Sequence, residues 1–181
     1  MLSNLGGSSG RRWNTLDFFR HFYFGGGRTV SLRSMGHLKD IVEEYAYYTG
    51  AEGAYRRLSN QIAKEARNKK SGPIRYPFGW SYDFSNVDIA HGGGVVEGRF
   101  AGFVSDRGGM LFIRGEIIFN FSDEFTDVAG IRDRLGQRDK AVSDIWKRTS
   151  DFGGLAYDIK DSWATLFEAE VLKDDSKSIY K

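Results

Sequence analysis

Alternation of apolar and polar residues is strongest between Val95 and Ser122. VVEGRFAGFVS (95–105) and MLFIRGEIIFNFS (110–122) flank Asp106-Arg107-Gly108-Gly109. In the second segment Leu111, Ile113, Ile117, Phe119 and Phe121 share one phase of a two-residue period, and Arg114, Glu116, Asn120 and Ser122 the other. Successive side chains of a strand point to opposite faces, so this is the pattern of a half-buried strand. Aspartate followed by paired glycines is turn chemistry. The two segments predict an antiparallel hairpin, and Gly98, Gly102 and Gly115 inside it predict bends or close packing. A final strand is predicted over Trp163–Leu172, where Trp163, Thr165, Phe167, Ala169 and Val171 alternate against Glu168 and Glu170. Upstream, Tyr82 and Phe84, then Val87 and Ile89, alternate with a phase slip at Ser85-Asn86 that predicts a bulge.

The N-terminal third has a helical period instead. TLDFFRHFYF (15–24) places Leu16, Phe19, Phe22 and Tyr23 on one predicted face, with Phe18 to the side. Asn14 or Thr15 caps it and Gly25-Gly26-Gly27 ends it, ahead of a short extended piece from Thr29 to Leu32. A second helix is predicted over Met35–Thr49, capped by Ser34, with Leu38, Ile41, Val42 and Tyr45 as its stripe and Gly50 as its stop. A third is predicted from Glu52 to Lys70 on the repeat Leu58, Ile62, Ala66, ended by Ser71-Gly72-Pro73. Two shorter helices are expected over Val128–Leu135 and Lys140–Thr149.

Composition sharpens this picture. The chain has 181 residues, 15% of them aromatic, with 23 glycines and only 2 prolines, which suits a curved, glycine-punctuated sheet better than a helical bundle. The expected fold is α+β: N-terminal helices packed on a curved, Gly-rich antiparallel sheet or partial barrel. It forms one domain over residues 14–172, helical over 14–72 and mainly β over 80–172, between a flexible linker (1–13) and a frayed tail (173–181). Absence of cysteine excludes disulfides and cysteine-ligated metal. A net charge of +2 gives no general electrostatic case for nucleic acid. No apolar run reaches the roughly 20 residues of a membrane-spanning helix. MLSNLGGSSGRR lacks the apolar centre of a signal peptide, so export is expected only as cargo or as part of a larger toxin.

Candidate chemistry is scattered. GGGR (25–28) lacks the Lys-Ser/Thr of a phosphate-binding P-loop, yet Arg28 beside three glycines is a candidate substrate-binding residue, against the simpler reading of a structural corner in which Arg28 caps carbonyls. His21, His37 and His91 show no zinc spacing; His91, at a strand end before Gly92-Gly93-Gly94, is the best placed for acid–base work. Asp123 and Asp127 flank the run SDEFTD after the long strand and are candidate catalytic acids, or else turn and cap residues. Asp83 in WSYDF is a further catalytic candidate and Tyr82 a substrate-binding one. If the strands neighbour each other, Asp83, His91, Asp123 and Asp127 share a rim. Glu168-Ala169-Glu170 has the form of a paired-glutamate motif, but any strand with a polar outer face yields it. No motif specifies a cofactor or a metal.

The order FFRHFYFGGGRTVSL, QIAKEAR, IIFNFSDEFTD, FGGLAYDIKDSW resembles C-terminal toxin modules of bacterial polymorphic toxins and bacteriocin-like effectors. Within that group Tyr82-Asp83-Phe84 is similar to a motif of colicin M-type toxins, which cleave a lipid-linked peptidoglycan precursor; Gly92 stands where that motif has arginine, and Trp80 where it has aspartate. The resemblance implies an antibacterial effector acting at the cell envelope, a hydrolase using the rim acids and a histidine. The implied partners are a cognate immunity protein and a membrane or lipid-linked substrate. Two alternatives are membrane disruption by the 95–122 hairpin without catalysis, since strands of about 9–11 residues cross a bilayer, and a non-toxic binding module.

Overall fold

The computed structural model describes residues 2–4, 11–36, 38–49, 57–83, 93–125 and 153–173. Among the described residues three helices precede the long strands: α1 (Thr15–Phe24), α2 (Leu38–Glu44), which runs on into a π-helical turn (Tyr45–Thr49), and α3 (Leu58–Lys69). The strands are β1 (Leu2–Asn4), β2 (Val30–Ser31), β3 (Gly72–Asp83), β4 (Gly93–Arg107), β5 (Met110–Phe125) and β6 (Tyr157–Leu172). They form one open sheet in the order β1-β6-β5-β4-β3, and β2 pairs in parallel with β6. The chain is α+β.

The expected hairpin is β4–β5. Its turn residues Gly108 and Gly109 both have positive φ (63° and 67°), the backbone that matches strand twist in a two-residue connection. The Asp106 carboxylate accepts the Gly108 N–H at 3.1 Å. The expected inward set of β5, Leu111, Ile113, Ile117, Phe119 and Phe121, is buried. It packs in one core with Val96 and Phe100 of β4, Trp163 and Phe167 of β6, and Phe18, Leu38, Val42, Leu58 and Ile62 of the helices.

Gly102 and Gly115 face each other across this hairpin. A Cβ at Gly115 would stand 2.4 Å from the Ala101 carbonyl oxygen and 2.7 Å from the Gly102 Cα, and the Phe100 ring already covers both glycines. Aromatic cover of glycine is how a strongly bent sheet recovers burial where it has no side chain. The chain's two prolines, Pro73 and Pro77, both sit in the edge strand β3, at positions of equal parity. Lacking N–H donors, they blunt an edge that would otherwise pair with other chains.

Several boundaries differ from expectation. α1 spans 15–24 with Asn14 as cap, its side chain and that of Asp17 forming a reciprocal capping box. Its buried side is set by Phe18 and Phe19, whose rings pack on Phe125 of β5, while Leu16 is 69% exposed. α2 starts at Leu38 rather than Met35: residues Leu32–Met35 form a 3₁₀ turn and Gly36 takes φ 71° against the Arg12 backbone. The Ser34 hydroxyl donates to the Ser31 carbonyl at 2.6 Å instead of capping. α3 starts at Leu58, because Arg57 is extended. β3 and β6 begin ahead of the expected strands, at Gly72 and Tyr157. Leu2–Asn4, within the stretch expected to be a linker, pair with Thr165–Phe167 of β6. The helices expected at 128–135 and 140–149 and the bulge at 85–86 lie outside the described residues.

Candidate functional site

The GGGR stretch resolves into a corner with an open side. The Gly25 N–H closes α1 on the His21 carbonyl at 2.6 Å, and Gly26 and Gly27 turn the chain at φ 64° and 70° into β2. Arg28 Nε donates to the Gly25 carbonyl at 3.0 Å, so this arginine caps the helix end, where a cation is favoured by the backbone dipoles. His21 Nε2 lies 2.8 Å from the Arg28 carbonyl oxygen. A carbonyl only accepts, so Nε2 carries the hydrogen and neutral His21 keeps its lone pair on Nδ1. The imidazole stands edge-on to Tyr157 at 4.5 Å between ring centres and is flanked by Trp13 at 5.7 Å.

Trp13, Asp17, Arg20, His21, Phe24 and Arg28 surround a cavity of 340 Å³. Its one carboxylate is spoken for: Arg11 bonds both oxygens of Asp17, and the Asn14 N–H donates to it at 2.9 Å. Those contacts, the Arg11 hydrogen bond foremost, hold the Asp17 carboxyl below its usual range. The remaining charge in the cavity is the two guanidinium groups of Arg20 and Arg28. An indole wall beside paired guanidiniums suits an anionic group on an apolar or planar body.

Behind this cavity lies Tyr157, buried and donating to the Phe18 carbonyl at 3.3 Å. Burial raises its phenol, and the nearby charge of Asp123 raises it further. Asp123 stands on the inner face of β5, paired with Ile159 of β6. Burial pushes its carboxyl above the usual range, and neighbouring Glu124 adds to the rise. A partly buried acid with a raised pKa is the kind of group that holds a proton for transfer. Asp161, also on the inner face, goes the other way. Burial alone would raise it, but Ser31 Oγ at 2.6 Å, Arg33 N at 2.8 Å and Arg33 Nε at 2.9 Å more than compensate and leave it lowered. It is the tie that fastens β2 and its following turn to β6.

Of the residues singled out from sequence, Arg28 lines the cavity, whereas Asp123 does not and lies beyond His21 and Tyr157. Tyr82 and Asp83 pair with Gly94 and Gly93, at the end of the sheet where Val95 pairs with Ser122, next to Asp123. His91 and Asp127 lie outside the described residues. Glu168 of the paired-glutamate stretch points outward and bonds Arg114 at 3.2 Å across the strands. Apart from Arg28 and its neighbouring glycine, the cavity residues carry no expectation of a site, Arg20, Trp13 and His21 among them. The signal for Arg20 is the outward row Leu16, Arg20, Phe24 at four-residue spacing; Trp13, ahead of the helix, has none. Among the described residues no three metal-ligating side chains come together, and no described helix is long and apolar enough to cross a membrane. No family model, curated protein or solved structure matches the chain.

Proposed function

We propose that the chain is an antibacterial effector domain, a toxin module, that acts at the cell envelope as a hydrolase. The observation that carries the site is the cationic, tryptophan-walled cavity with a burial-raised carboxyl, Asp123, set behind it. Arg20 and Arg28 would hold the anionic group of a membrane or lipid-linked substrate and offset charge developing on it. Water would be the attacking group, and Asp123, which does not line the cavity, would supply the proton for the departing oxygen by way of the intervening Tyr157 and His21. The sequence resemblance to polymorphic toxin modules supports the effector reading, and it calls for a cognate immunity protein as partner.

The test is expression in a bacterial host with and without an export signal. Growth arrest only on export, relieved by Asp123→Asn or by Arg20→Ala with Arg28→Ala, and relieved by co-expression of the immunity protein, is the expected result. Normal growth in both compartments removes the effector reading. Arrest that survives all of these substitutions moves the activity away from this cavity.

A further inference from the structure

Apolar exposure gathers on α1 and the corner that follows it. Among the described residues the three most exposed large apolar side chains are Phe24, Leu16 and Leu155, at 77%, 69% and 56%. Leu16 and Phe24 lie at the ends of one outward row of α1, at four-residue spacing, with the exposed Arg20 between them. Leu155 comes to the end of the same helix from far along the chain. Its N–H donates to the Phe22 carbonyl at 2.9 Å, and its Cβ is 3.6 Å from where a Cβ on Gly27 would stand. Apolar side chains exposed elsewhere do not form such a group: Phe103 and Leu166, on the outer face of the sheet, stand in rows with the charged Arg114 and Glu116.

Two guanidinium groups lie within this apolar frame. Arg20 and Arg28 line one cavity with Phe24 and the half-buried Trp13. Among the described residues Arg20 forms no hydrogen bond or ion pair, and the Arg28 guanidinium uses only Nε, on the Gly25 carbonyl at 3.0 Å. The carboxylate of the cavity, Asp17, is held by Arg11 on both oxygens. The patch therefore presents apolar side chains and cations with its acid already engaged. A protein partner that covered Leu16 and Phe24 would bury Arg20 between them and would need an acid to meet it. A bilayer surface takes all three together, because its phosphates lie where the guanidinium stops and its acyl chains begin just beneath. We infer that this face docks the chain on an anionic phospholipid surface, with Phe24, Leu16 and Leu155 inserted at the headgroup boundary and Arg20 and Arg28 on lipid phosphates. Tryptophan is favoured at that depth, and Trp13 stands beside both arginines. The docking rests on the reading of the cavity as the seat of a lipid-borne anion, and it brings the mouth of the cavity to the level at which such anions lie.

The experiment is co-sedimentation of the full chain with vesicles of mixed phosphatidylglycerol and phosphatidylcholine, against vesicles of phosphatidylcholine alone. Binding to the mixed vesicles is expected, and binding about thirtyfold weaker without the anionic lipid, the share of two cations at the surface. Phe24→Ser and Leu16→Ser should each lower the partition coefficient about tenfold, and Arg20→Ala about fivefold. Phe103→Ser, which removes a ring of similar exposure from the sheet, should leave it unchanged. Glycerol phosphate at the concentration of the vesicle headgroups should not release the chain, because the apolar contacts belong to the bilayer. The replaced side chains are exposed, so urea midpoints of the variants should match the parent, and the comparisons of lipid and competitor need no substitution. No sedimentation with the mixed vesicles, equal binding to both kinds, release by glycerol phosphate, a Phe103→Ser effect as large as that of Phe24→Ser, or sedimentation of the chain without vesicles overturns the inference. Binding is read without turnover, so it separates from the effector reading: vesicle binding without growth arrest keeps the docking and removes the effector, and growth arrest without vesicle binding does the reverse.

Discussion

Replacing Glu43 by alanine is expected to be among the costliest single changes in this fold. Glu43 projects from α2 into the helix–sheet interface, where its Oε2 accepts from Trp163 Nε1 at 2.8 Å and from Thr165 Oγ1 at 3.0 Å. Lys39 Nζ, one turn earlier, is 3.6 Å from the same oxygen and 3.2 Å from Asp40, and it also lies 5.7 Å from the centre of the Trp163 ring. The Lys39 side chain is 0% exposed and that of Glu43 8%, so water does not replace what is removed. Breaking a buried pair by deleting one partner costs about 3–5 kcal/mol, because a buried charge is left uncompensated. Here Asp40 retains Lys39, which pulls the figure toward the lower end; the indole N–H and the threonine hydroxyl lose their acceptor, which pulls it back up by about 1–3 kcal/mol each. An expected loss of about 3–5 kcal/mol is a large part of the 5–15 kcal/mol by which domains are stable, and corresponds to a fall in Tm of about 6–20 °C. Glu43→Gln keeps an oxygen acceptor and should cost clearly less than Glu43→Ala. Urea unfolding at neutral pH, with the slope checked for constancy, measures both. A loss below about 1 kcal/mol for Glu43→Ala would mean the interface admits water, and the sealed network inferred from the burial of Lys39 would be wrong.

Asp161→Asn should lose about 1.5–3 kcal/mol at neutral pH, from charged hydrogen bonds to Ser31 and Arg33. The folded carboxyl titrates below its unfolded value, so the wild-type advantage is complete above the unfolded pKa and disappears as pH falls through the folded one; urea midpoints from pH 7 down to 2 follow it. Asp123 has the reverse sign: its folded pKa is raised, so ionisation costs stability, a cost that appears as pH rises from the unfolded toward the folded value and persists above. Asp123→Asn should therefore stabilise the fold at neutral pH and make no difference below the ordinary carboxylate range, even while removing the proposed activity; the same urea series reads both. Gly115→Ala should destabilise by about 1–3 kcal/mol, the usual cost of overpacking, since the added methyl meets backbone 2.4 Å away rather than a movable side chain; thermal unfolding reads it.

What the sequence discloses follows from how regularly burial alternates. In β5 every second residue from Leu111 to Phe121, Gly115 apart, is apolar because one face meets the helices and the other meets water, and the strand is legible to within three residues at its C-terminal end. β3 has the same alternation in Ile74, Tyr76, Phe78 and Trp80, but Pro73 and Pro77 argue against a strand unless it lies at an edge, a fact of topology that no local window contains. The alternation of β6 is readable only from Trp163 onward because Asp161 puts a charge on the inward phase, and only the distant partners Ser31 and Arg33 make that charge tolerable. α1 shows the same limit in a helix. Its ends are legible in Asn14 and Gly25, whose roles are local, whereas its buried side is not: the rings of Phe18, Phe19 and Phe22 gather around Phe125, more than a hundred residues away in the chain. The candidate cavity inherits this dependence. Arg28 stands out beside its glycines, but Arg20 and Trp13 acquire a common role only when the corner at Gly25–Gly27 folds Arg28 back along α1, so that two arginines on either side of the helix end become one cationic wall.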